Sequence, residues 1–245
     1  MIQGYASELF VSFQGEGAHV GERHLFVRMA ICNLRCRYCD TPDSLVRVPH
    51  LTVHQAGQMA ARIENPVATD ELARRATNLL GQEKAIDAVA ITGGEPLVQA
   101  EFVADFLRTA RFGLPVLLET NGVLPHRLRL VLPWVTIISM DIKPPSNTGE
   151  PSFWDEHAEF LRIARDKEVY VKLLVDRETS DADVTRAAEL VSAAGGAPLY
   201  LQPIMDRTGR PEIGGEQLSR FFALVRERLS GVRVLPQTHK ILGIQ

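Results

Sequence analysis

Cysteine is scarce in this sequence. The 245 residues contain only three cysteines, Cys32, Cys36 and Cys39, and all three fall within one stretch of eight residues. So small and clustered a set excludes a disulfide framework of the kind that stabilises secreted domains, and it fits a reducing compartment. We therefore expect the protein to be cytoplasmic.

Long apolar runs and an excess of positive charge are also absent. No run approaches the roughly 20 residues that a transmembrane helix needs, and the start Met1–Tyr5 lacks the basic and apolar segments of a signal peptide. The net charge is −3, which provides no electrostatic basis for binding nucleic acid or an anionic membrane. We expect no membrane span, no signal peptide and no nucleic-acid partner.

Internal repeats and low-complexity tracts are missing as well. The chain is 45% hydrophobic and 23% charged, which is ordinary for a globular protein, and its length suits one barrel-sized domain. The stretch Lys143–Pro151 is rich in turn-forming residues, but core-forming periodicity resumes on both sides of it. We therefore interpret residues 1–245 as a single domain.

Short apolar runs alternate with amphipathic stretches, a pattern typical of an α/β fold with a largely parallel sheet. The pattern predicts strands at residues 7–13, 24–31, 85–92, 115–119, 135–140, 168–175, 197–202 and 232–235. It predicts helices at about residues 52–80 with a break at Pro66, at 99–112, at 153–165, from a cap at 179–181 to Gly195, and at 217–229.

The cysteines are spaced C-x3-C-x2-C, and no fourth cysteine completes the set. An iron–sulfur cluster held only by thiolates needs four cysteines, so three leave one iron with an open position, where chemistry takes place. Two other interpretations of these residues remain open. One is a Cys3His zinc site completed by His24, His50 or His54, and the other is a thioredoxin-like redox pair formed by Cys36 and Cys39.

Polar residues recur just after the predicted strands. They are found at Cys32–Thr41, Thr92–Glu95, Glu119–Asn121, Ser139–Lys143 and Gln202. In a parallel α/β sheet, and above all in a β/α barrel, the carboxyl ends of the strands face one rim and form the active site. We therefore expect these separate stretches to converge on one pocket.

The residue types at this rim suit a charged organic ligand. Gly93 and Gly94 allow a backbone to approach a ligand closely, and Glu95 is suited to accept from an ammonium group. The segment Ser139–Lys143 offers a hydroxyl, a carboxylate and an ammonium group, which suit a ribose and a carboxylate. The alternatives are a tight turn at the glycines and a solvated loop at 139–143.

Further candidates lie at both ends of the chain. Glu16, in Gln14-Gly15-Glu16-Gly17, can accept two N–H bonds from the amidine-like edge of a heterocycle. Arg28 suits a bidentate pair with a substrate carboxylate, or else a structural salt bridge. The Thr41 hydroxyl is a hard oxygen ligand for Mg²⁺ or part of a turn. His239 is either a donor to a substrate carboxylate or a surface residue of the tail.

The cysteine loop together with Thr92-Gly93-Gly94-Glu95-Pro96 resembles the radical S-adenosylmethionine (SAM) enzymes. With Gln14-Gly15-Glu16-Gly17, Arg28 and Gln237-Thr238-His239-Lys240 added, the chain resembles the 7-carboxy-7-deazaguanine synthase family from its first strand to its last residues. The resemblance implies an α/β fold, a partial, modified (β/α) TIM-like barrel of the radical SAM type, that forms a homodimer. It also implies a [4Fe-4S] cluster, SAM and Mg²⁺ as cofactors, and an external electron donor of the flavodoxin or ferredoxin type.

The implied reaction is that of a carbon–nitrogen lyase in queuosine and 7-deazapurine biosynthesis. A 5′-deoxyadenosyl radical takes a hydrogen from C6 of 6-carboxy-5,6,7,8-tetrahydropterin, the ring contracts, and ammonia leaves to give 7-carboxy-7-deazaguanine, with SAM regenerated. Because the cofactors carry the hard chemistry, no side chain is assigned as a catalytic acid, base or nucleophile. The protein contributes placement and the exclusion of water.

The resemblance also implies roles for individual residues. The implied metal-binding residues are Cys32, Cys36 and Cys39 for the cluster and Thr41 for Mg²⁺. The implied SAM contacts are Tyr38, Gly94, Ser139, Asp141, Lys143, Gln202 and Met205. The implied substrate contacts are Phe13, Gln14, Gly15, Glu16, Arg28, Thr92, His239 and Gln245.

Three other functions compete with this interpretation. A radical SAM activase that forms a glycyl radical on another protein would share the cysteine loop, but it would need neither Gln14–Gly17 nor His239. A zinc-stabilised binding module would contain zinc without sulfide. A radical enzyme acting directly on tRNA would need a basic surface, against which the net charge of −3 argues.

Overall fold

The strands and helices alternate along most of the chain, as the sequence predicts. The structure, a computed structural model, describes residues 2–206 and 208–244. The strands are β1 (Gln3–Gly4), β2 (Ala6–Phe13), β3 (Arg23–Met29), β4 (His50–Gln55), β5 (Gln58–Glu64), β6 (Val67–Ala68), β7 (Ala88–Gly93), β8 (Val116–Thr120), β9 (Ile137–Ile142), β10 (Glu168–Val175), β11 (Leu199–Pro203) and β12 (Val232–Val234). The helices are α1 (Thr69–Gln82), α2 (Ala100–Ala110), α3 (Pro125–Val131), α4 (Pro145–Thr148), α5 (Trp154–Ala164), α6 (Asp181–Ala193), α7 (Gly215–Arg226) and α8 (Thr238–Leu242).

One large sheet organises the molecule. Its strands hydrogen-bond in the order β12-β11-β10-β9-β8-β7-β3-β2-β4-β5, and β1 pairs separately with β6. In this order, every pair of neighbouring strands between β12 and β3 is parallel. In contrast, β2 is antiparallel to β3, and β5 is antiparallel to β4. Parallel neighbours joined through helices confirm the predicted partial (β/α) barrel.

The inward-facing side chains form two distinct layers. An apolar floor consists of Phe10, Phe26, Ala90, Leu117, Ile137, Tyr170 and Tyr200. Because side chains two residues apart in a strand point to the same face, the residues two positions further toward the carboxyl ends lie directly above this floor. On β3 and β7 to β11 these residues form a polar layer, made of Arg28, Thr92, Glu119, Ser139, Lys172 and Gln202.

The helical interpretation of residues 52–80 is wrong for its first part. Residues 50–64 form the hairpin of β4 and β5, and helix α1 begins only at Thr69. In β4, Leu51 and Val53 are buried whereas their neighbours are not, which is the two-residue alternation of a half-buried strand. Ala56 and Gly57 both have positive φ, as tight hairpin turns require.

The turn-rich stretch after β9 also contains structure. Its residues 145–148 form the short helix α4, and the Arg37 N–H of the cysteine loop donates to Thr148 O at 2.9 Å. The stretch therefore packs against the cysteine loop. Separately, among the residues that the structure describes, no helix combines the length and the apolar character that a bilayer crossing needs.

Candidate active site

A single cleft lies above the polar layer, at the carboxyl ends of the parallel strands. It encloses about 1260 Å³, measured out to its open mouth. Its walls include segments far apart in sequence: the cysteine loop, Phe13–Glu16 at the end of β2, Thr92–Gly94 at the end of β7, Glu119–Asn121 at the end of β8, Asp141 and Lys143 at the end of β9, and Gln237, His239 and Lys240 of the tail. The predicted convergence of strand ends on one pocket is confirmed for these segments, whereas Gln202, at the end of β11, does not line the cleft.

The three cysteines of the loop all line this cleft. Each is a free, half-buried thiol. The loop is held by its own backbone, since the Leu34 N–H donates to Cys32 Sγ at 3.4 Å and the Cys39 N–H donates to Cys36 O at 3.1 Å. Burial raises the pKa of Cys32 to about 11 and also raises the pKa of Cys36, so these thiols ionise only against a strong positive charge. Three unlinked thiols facing one cleft fit the iron atoms of a cluster.

The zinc alternative receives no support from His24. This residue lies near the start of β3, whereas the cysteines follow the end of that strand, so roughly 16 Å of extended chain separates them. His24 Nε2 instead bonds Glu22 Oε2 at 3.1 Å. His54, another candidate for the fourth zinc ligand, likewise contacts a carboxylate, with its Nε2 at 3.5 Å from Glu8 Oε1.

The Gly93-Gly94 turn comes very close to the start of the cysteine loop. Gly93 has a φ of +128°, and a Cβ at this position would lie 2.1 Å from Met29 O. A Cβ at Gly94 would lie 2.4 Å from Ser44 O. The residues around the cysteine loop therefore leave no room for a side chain at Gly94, which lines the cleft.

Glu95 has a different role from the one suggested by its sequence. It is fully buried and does not line the cleft. Its carboxylate accepts from the Leu97 N–H at 3.0 Å, the Thr120 hydroxyl at 2.9 Å and the Asn121 N–H at 2.7 Å. Burial outweighs these hydrogen bonds and raises the pKa of Glu95 to about 7. Glu95 thus joins the ends of β7 and β8 instead of binding an ammonium group.

Glu119 joins two of the residues implied to contact substrate. Its Oε1 accepts from Gln14 Nε2 at 2.9 Å, and its Oε2 accepts from the Thr92 hydroxyl at 2.6 Å. Glu119 itself lines the cleft. The sequence interpretation placed Glu119 at the rim of the predicted pocket but missed its role as a partner of Gln14 and Thr92, although a carboxylate two residues beyond the floor residue Leu117 was a usable signal.

Lys172 was also missed, and it lies at the centre of a charged network. Its ammonium group contacts Glu16 Oε2 at 2.5 Å and Asp141 Oδ1 at 3.1 Å, while Lys143 Nζ contacts Asp141 Oδ2 at 3.0 Å. Burial by itself raises the pKa of Glu16, but the charges of Lys172 and His239 and the bonds from Gln237 and Lys172 hold it well below its usual range. Burial likewise opposes the charge of Lys172, but the neighbouring carboxylates keep its pKa well above the usual value. Glu16 and Lys172 are therefore both ionised.

Arg28 forms the salt bridge that was one of its two predicted interpretations. It lines the cleft, and its Nε donates to Glu8 Oε2 at 2.8 Å. Its guanidinium carbon also lies 5.5 Å from the centre of the Phe10 ring. The salt bridge and the ring thus fix a guanidinium group that faces the cleft.

The tail closes one side of the cleft. The Thr238 N–H and hydroxyl both donate to Gly15 O at 3.0 Å, and Gln237 Nε2 donates to Glu16 Oε1 at 2.8 Å. Lys240 Nζ pairs with Asp40 Oδ2 at 3.2 Å, which ties the tail to the cysteine loop. His239 lines the cleft, whereas Gln245 lies outside the described residues.

The remaining predicted residues divide into two groups. Phe13, Gly15, Tyr38 and Thr41 line the cleft, and Lys143 Nζ lies 5.5 Å from the centre of the Tyr38 ring. Ser139, Gln202 and Met205 do not line it. Ser139 Oγ and both amide atoms of Gln202 are buried and have no hydrogen-bond partner within the described part of the chain.

Comparison with known proteins agrees with this geometry. Residues 26–191 match the model of the radical SAM superfamily. The chain is 38% identical to the 7-carboxy-7-deazaguanine synthase of Geobacter sulfurreducens, over 96% of both chains. It is 36% identical to the synthase of the same name from Methanopyrus kandleri, over 96% of this chain and 92% of the relative. The crystal structure of QueE from Escherichia coli has the same fold, with a TM-score of 0.60 at 20% identity over 96% of this chain and 94% of that one.

The barrel, the three-cysteine loop and the superfamily match define a radical SAM enzyme, with a [4Fe-4S] cluster and SAM as its cofactors. Within that superfamily, the chain belongs to the 7-carboxy-7-deazaguanine synthase family. The family and the two cofactors predicted from the sequence are thereby confirmed.

Proposed function

We propose that this protein converts 6-carboxy-5,6,7,8-tetrahydropterin to 7-carboxy-7-deazaguanine, with contraction of the ring and loss of ammonia, in queuosine and 7-deazapurine biosynthesis. The observation that carries the proposal is that Gln14–Glu16 and Gln237–His239 meet on the wall of the cysteine-lined cleft. A radical SAM enzyme without a heterocyclic substrate would not need these two segments there. The names of the relatives support the same reaction.

One side of the cleft would bind the cluster and SAM, and the other side would bind the substrate. Cys32, Cys36 and Cys39 would hold the cluster, and Asp141 and Lys143 would meet the polar groups of SAM. When bound, the cluster and SAM supply the abstraction of a hydrogen atom from the substrate. The chain itself holds the substrate in one orientation and keeps water away from it, since Phe10, Phe13 and Phe26 line part of the cleft.

The substrate side is suited to a flat heterocycle that carries a carboxylate. Glu16 is an ionised acceptor for the N–H groups of the amidine-like edge, and Glu119 provides a second carboxylate nearby in the cleft. Arg28 and His239 are the donors suited to the substrate carboxylate.

Three further features belong to the proposal. Thr41 would provide one hard oxygen ligand to Mg²⁺, an ion that keeps most of its waters and takes few protein ligands. The protein would act as a homodimer. Its reducing electron would come from a flavodoxin or ferredoxin type of donor, and nucleic acid would have no part in the reaction.

An anaerobic assay tests this function directly. Reconstituted protein is incubated with SAM, dithionite, Mg²⁺ and 6-carboxytetrahydropterin, and the products are analysed by mass spectrometry. We expect 7-carboxy-7-deazaguanine to form without stoichiometric loss of SAM. Cleavage of SAM without any deazapurine would refute the substrate, and it would favour an activase. Intact SAM on a fully loaded cluster would refute the radical chemistry.

A further inference from the structure

Lys172 is a buried cation between the two sides of the cleft. Its side chain is 5% exposed and those of Glu16 and Asp141 are each 17% exposed. Its ammonium group lies 2.5 Å from Glu16 Oε2 and 3.1 Å from Asp141 Oδ1. Glu16 belongs to the segment proposed to bind the pterin, whereas Asp141 belongs to the segment proposed to bind SAM. One ammonium group therefore contacts both binding segments.

The fold fixes the position of this ammonium group. Lys172 lies in the middle of β10, opposite Asp141 of β9 and Tyr200 of β11 in the strand register. Two residues earlier on the same face, Tyr170 belongs to the apolar floor. Paired strands on both sides fix the backbone of Lys172, and its side chain is almost fully buried, so the ammonium group is held between Glu16 and Asp141.

The other partners of the two carboxylates do not connect them. Glu16 Oε1 accepts from the neutral amide of Gln237, and Asp141 Oδ2 pairs with Lys143. Without the Lys172 ammonium group, Glu16 and Asp141 would be two carboxylates close together in a partly buried site. Mutual repulsion would then separate their segments.

We propose that Lys172 is a positioning residue that couples the binding of SAM to the binding of substrate. A ligand that orders Asp141 also orders Lys172, and through it Glu16, so either ligand improves the site for the other. This coupling is reciprocal, as the linkage of two equilibria requires. The inference rests on the proposed function, because it takes the pterin as the ligand at Glu16.

Calorimetry on the reconstituted protein measures the coupling. The affinity for 6-carboxytetrahydropterin is determined anaerobically with and without saturating SAM, and the cluster is kept oxidised so that no turnover occurs. For the unmodified protein we expect SAM to tighten pterin binding about tenfold, within the usual range for coupled sites. For Lys172→Met we expect SAM to tighten pterin binding by less than about twofold.

Two variants separate positioning from a general structural effect. Lys84→Met makes the same chemical change at an exposed residue outside the cleft, and it should keep the tenfold factor. Glu16→Gln removes the same ion pair from its other end, and it should lose the coupling even if Lys172→Met fails to fold or to load its cluster. In the double variant, the two losses should not add, because they break one contact.

The possible outcomes are distinct. Coupling that persists in Lys172→Met or in Glu16→Gln, or that is absent from the unmodified protein, would overturn the role of Lys172. Normal SAM binding with no pterin binding by the unmodified protein would refute the proposed function itself, and this inference with it. Loss of coupling in both variants, with thermal midpoint and cluster absorbance unchanged, is the expected result.

Discussion

Thr92 donates its hydroxyl to Glu119 of the neighbouring strand within the polar layer, at 2.6 Å. The other oxygen of Glu119 accepts from Gln14, so both oxygens face donors. In Glu119→Gln, one oxygen becomes an NH₂ group that opposes a donor, at a cost of about 1–3 kcal/mol. We expect the KM for the pterin to rise about tenfold while the KM for SAM stays the same.

The control for this change is Thr92→Ser, which keeps the hydroxyl and should keep a nearly normal KM. An unaltered pterin KM in Glu119→Gln would mean that Glu119 does not organise the substrate wall.

Removal of one cluster ligand should abolish both the cluster and the activity. In Cys36→Ala, only two thiols remain on the cleft wall, and we expect no stable cluster and no turnover. Iron and sulfide analysis together with visible absorbance measures the cluster. A fully loaded, active Cys36→Ala protein would contradict the assignment of the loop.

Thr41→Ala should behave differently from the cysteine variant. Because Thr41 is proposed as a ligand of Mg²⁺ and not of iron, the brown colour should remain while activity falls and responds less to added Mg²⁺. Loss of the cluster in this variant would count against the Mg²⁺ role.

Gly94 should not tolerate a side chain. A Cβ there would lie 2.4 Å from Ser44 O and 2.5 Å from Ile31 O, so the backbone proposed to meet SAM must move. We expect Gly94→Ala to raise the KM for SAM by about tenfold or more, since crowding of this type costs about 1–3 kcal/mol. Gly81→Ala is the matched control, because helix α1 leaves open space at Gly81 and alanine favours a helix.

The raised pKa of Glu95 makes the stability of the protein depend on pH. Its folded pKa of about 7 lies above the usual glutamate value of 4.5, so between these values the folded state binds more protons than the unfolded state. Stability therefore falls as pH rises from 4.5 to about 7, by up to about 3 kcal/mol. His157, whose pKa burial lowers to about 4, contributes the opposite slope, because its stabilising effect is lost as pH falls from 6.5 toward 4.

The difference between two proteins isolates the Glu95 contribution. The free energy of unfolding is measured in urea at pH 5 and at pH 7 for the unmodified chain and for Glu95→Gln. From pH 5 to pH 7, it should decrease more for the unmodified chain than for the variant. Equal decreases would show that Glu95 titrates normally.

Much of the architecture was predictable because each parallel strand ends in polar residues. Thr92 and Asp141 are visible in this way, since the apolar run stops where they begin. Lys172 was not identified and Glu119 was given no contact role, because the effect of each depends on partners far away in sequence. Their signal was their position two residues beyond a floor residue, and that requires knowledge of which strand face is inward.

The hairpin of β4 and β5 was hidden for a different reason. Its residues include Ala60, Ala61 and Arg62, which also favour helices, and β5 is an edge strand with little burial. The alternation of buried Leu51 and Val53 is too short to distinguish a strand from a helix by itself. The pairing of β4 with β2 and β5 in the sheet favours the strand.

The pairing of the tail with Gly15 and Glu16 has a consequence for biosynthesis. The cysteine loop leaves the ribosome early, but the wall that closes over it needs Gln237 and Thr238. At about 5–20 residues per second, the roughly 200 intervening residues take about 10–40 s to be synthesised. During that interval the nascent thiols lack the part of the cleft wall that the tail provides, so the site can be completed only after almost the whole chain has been synthesised.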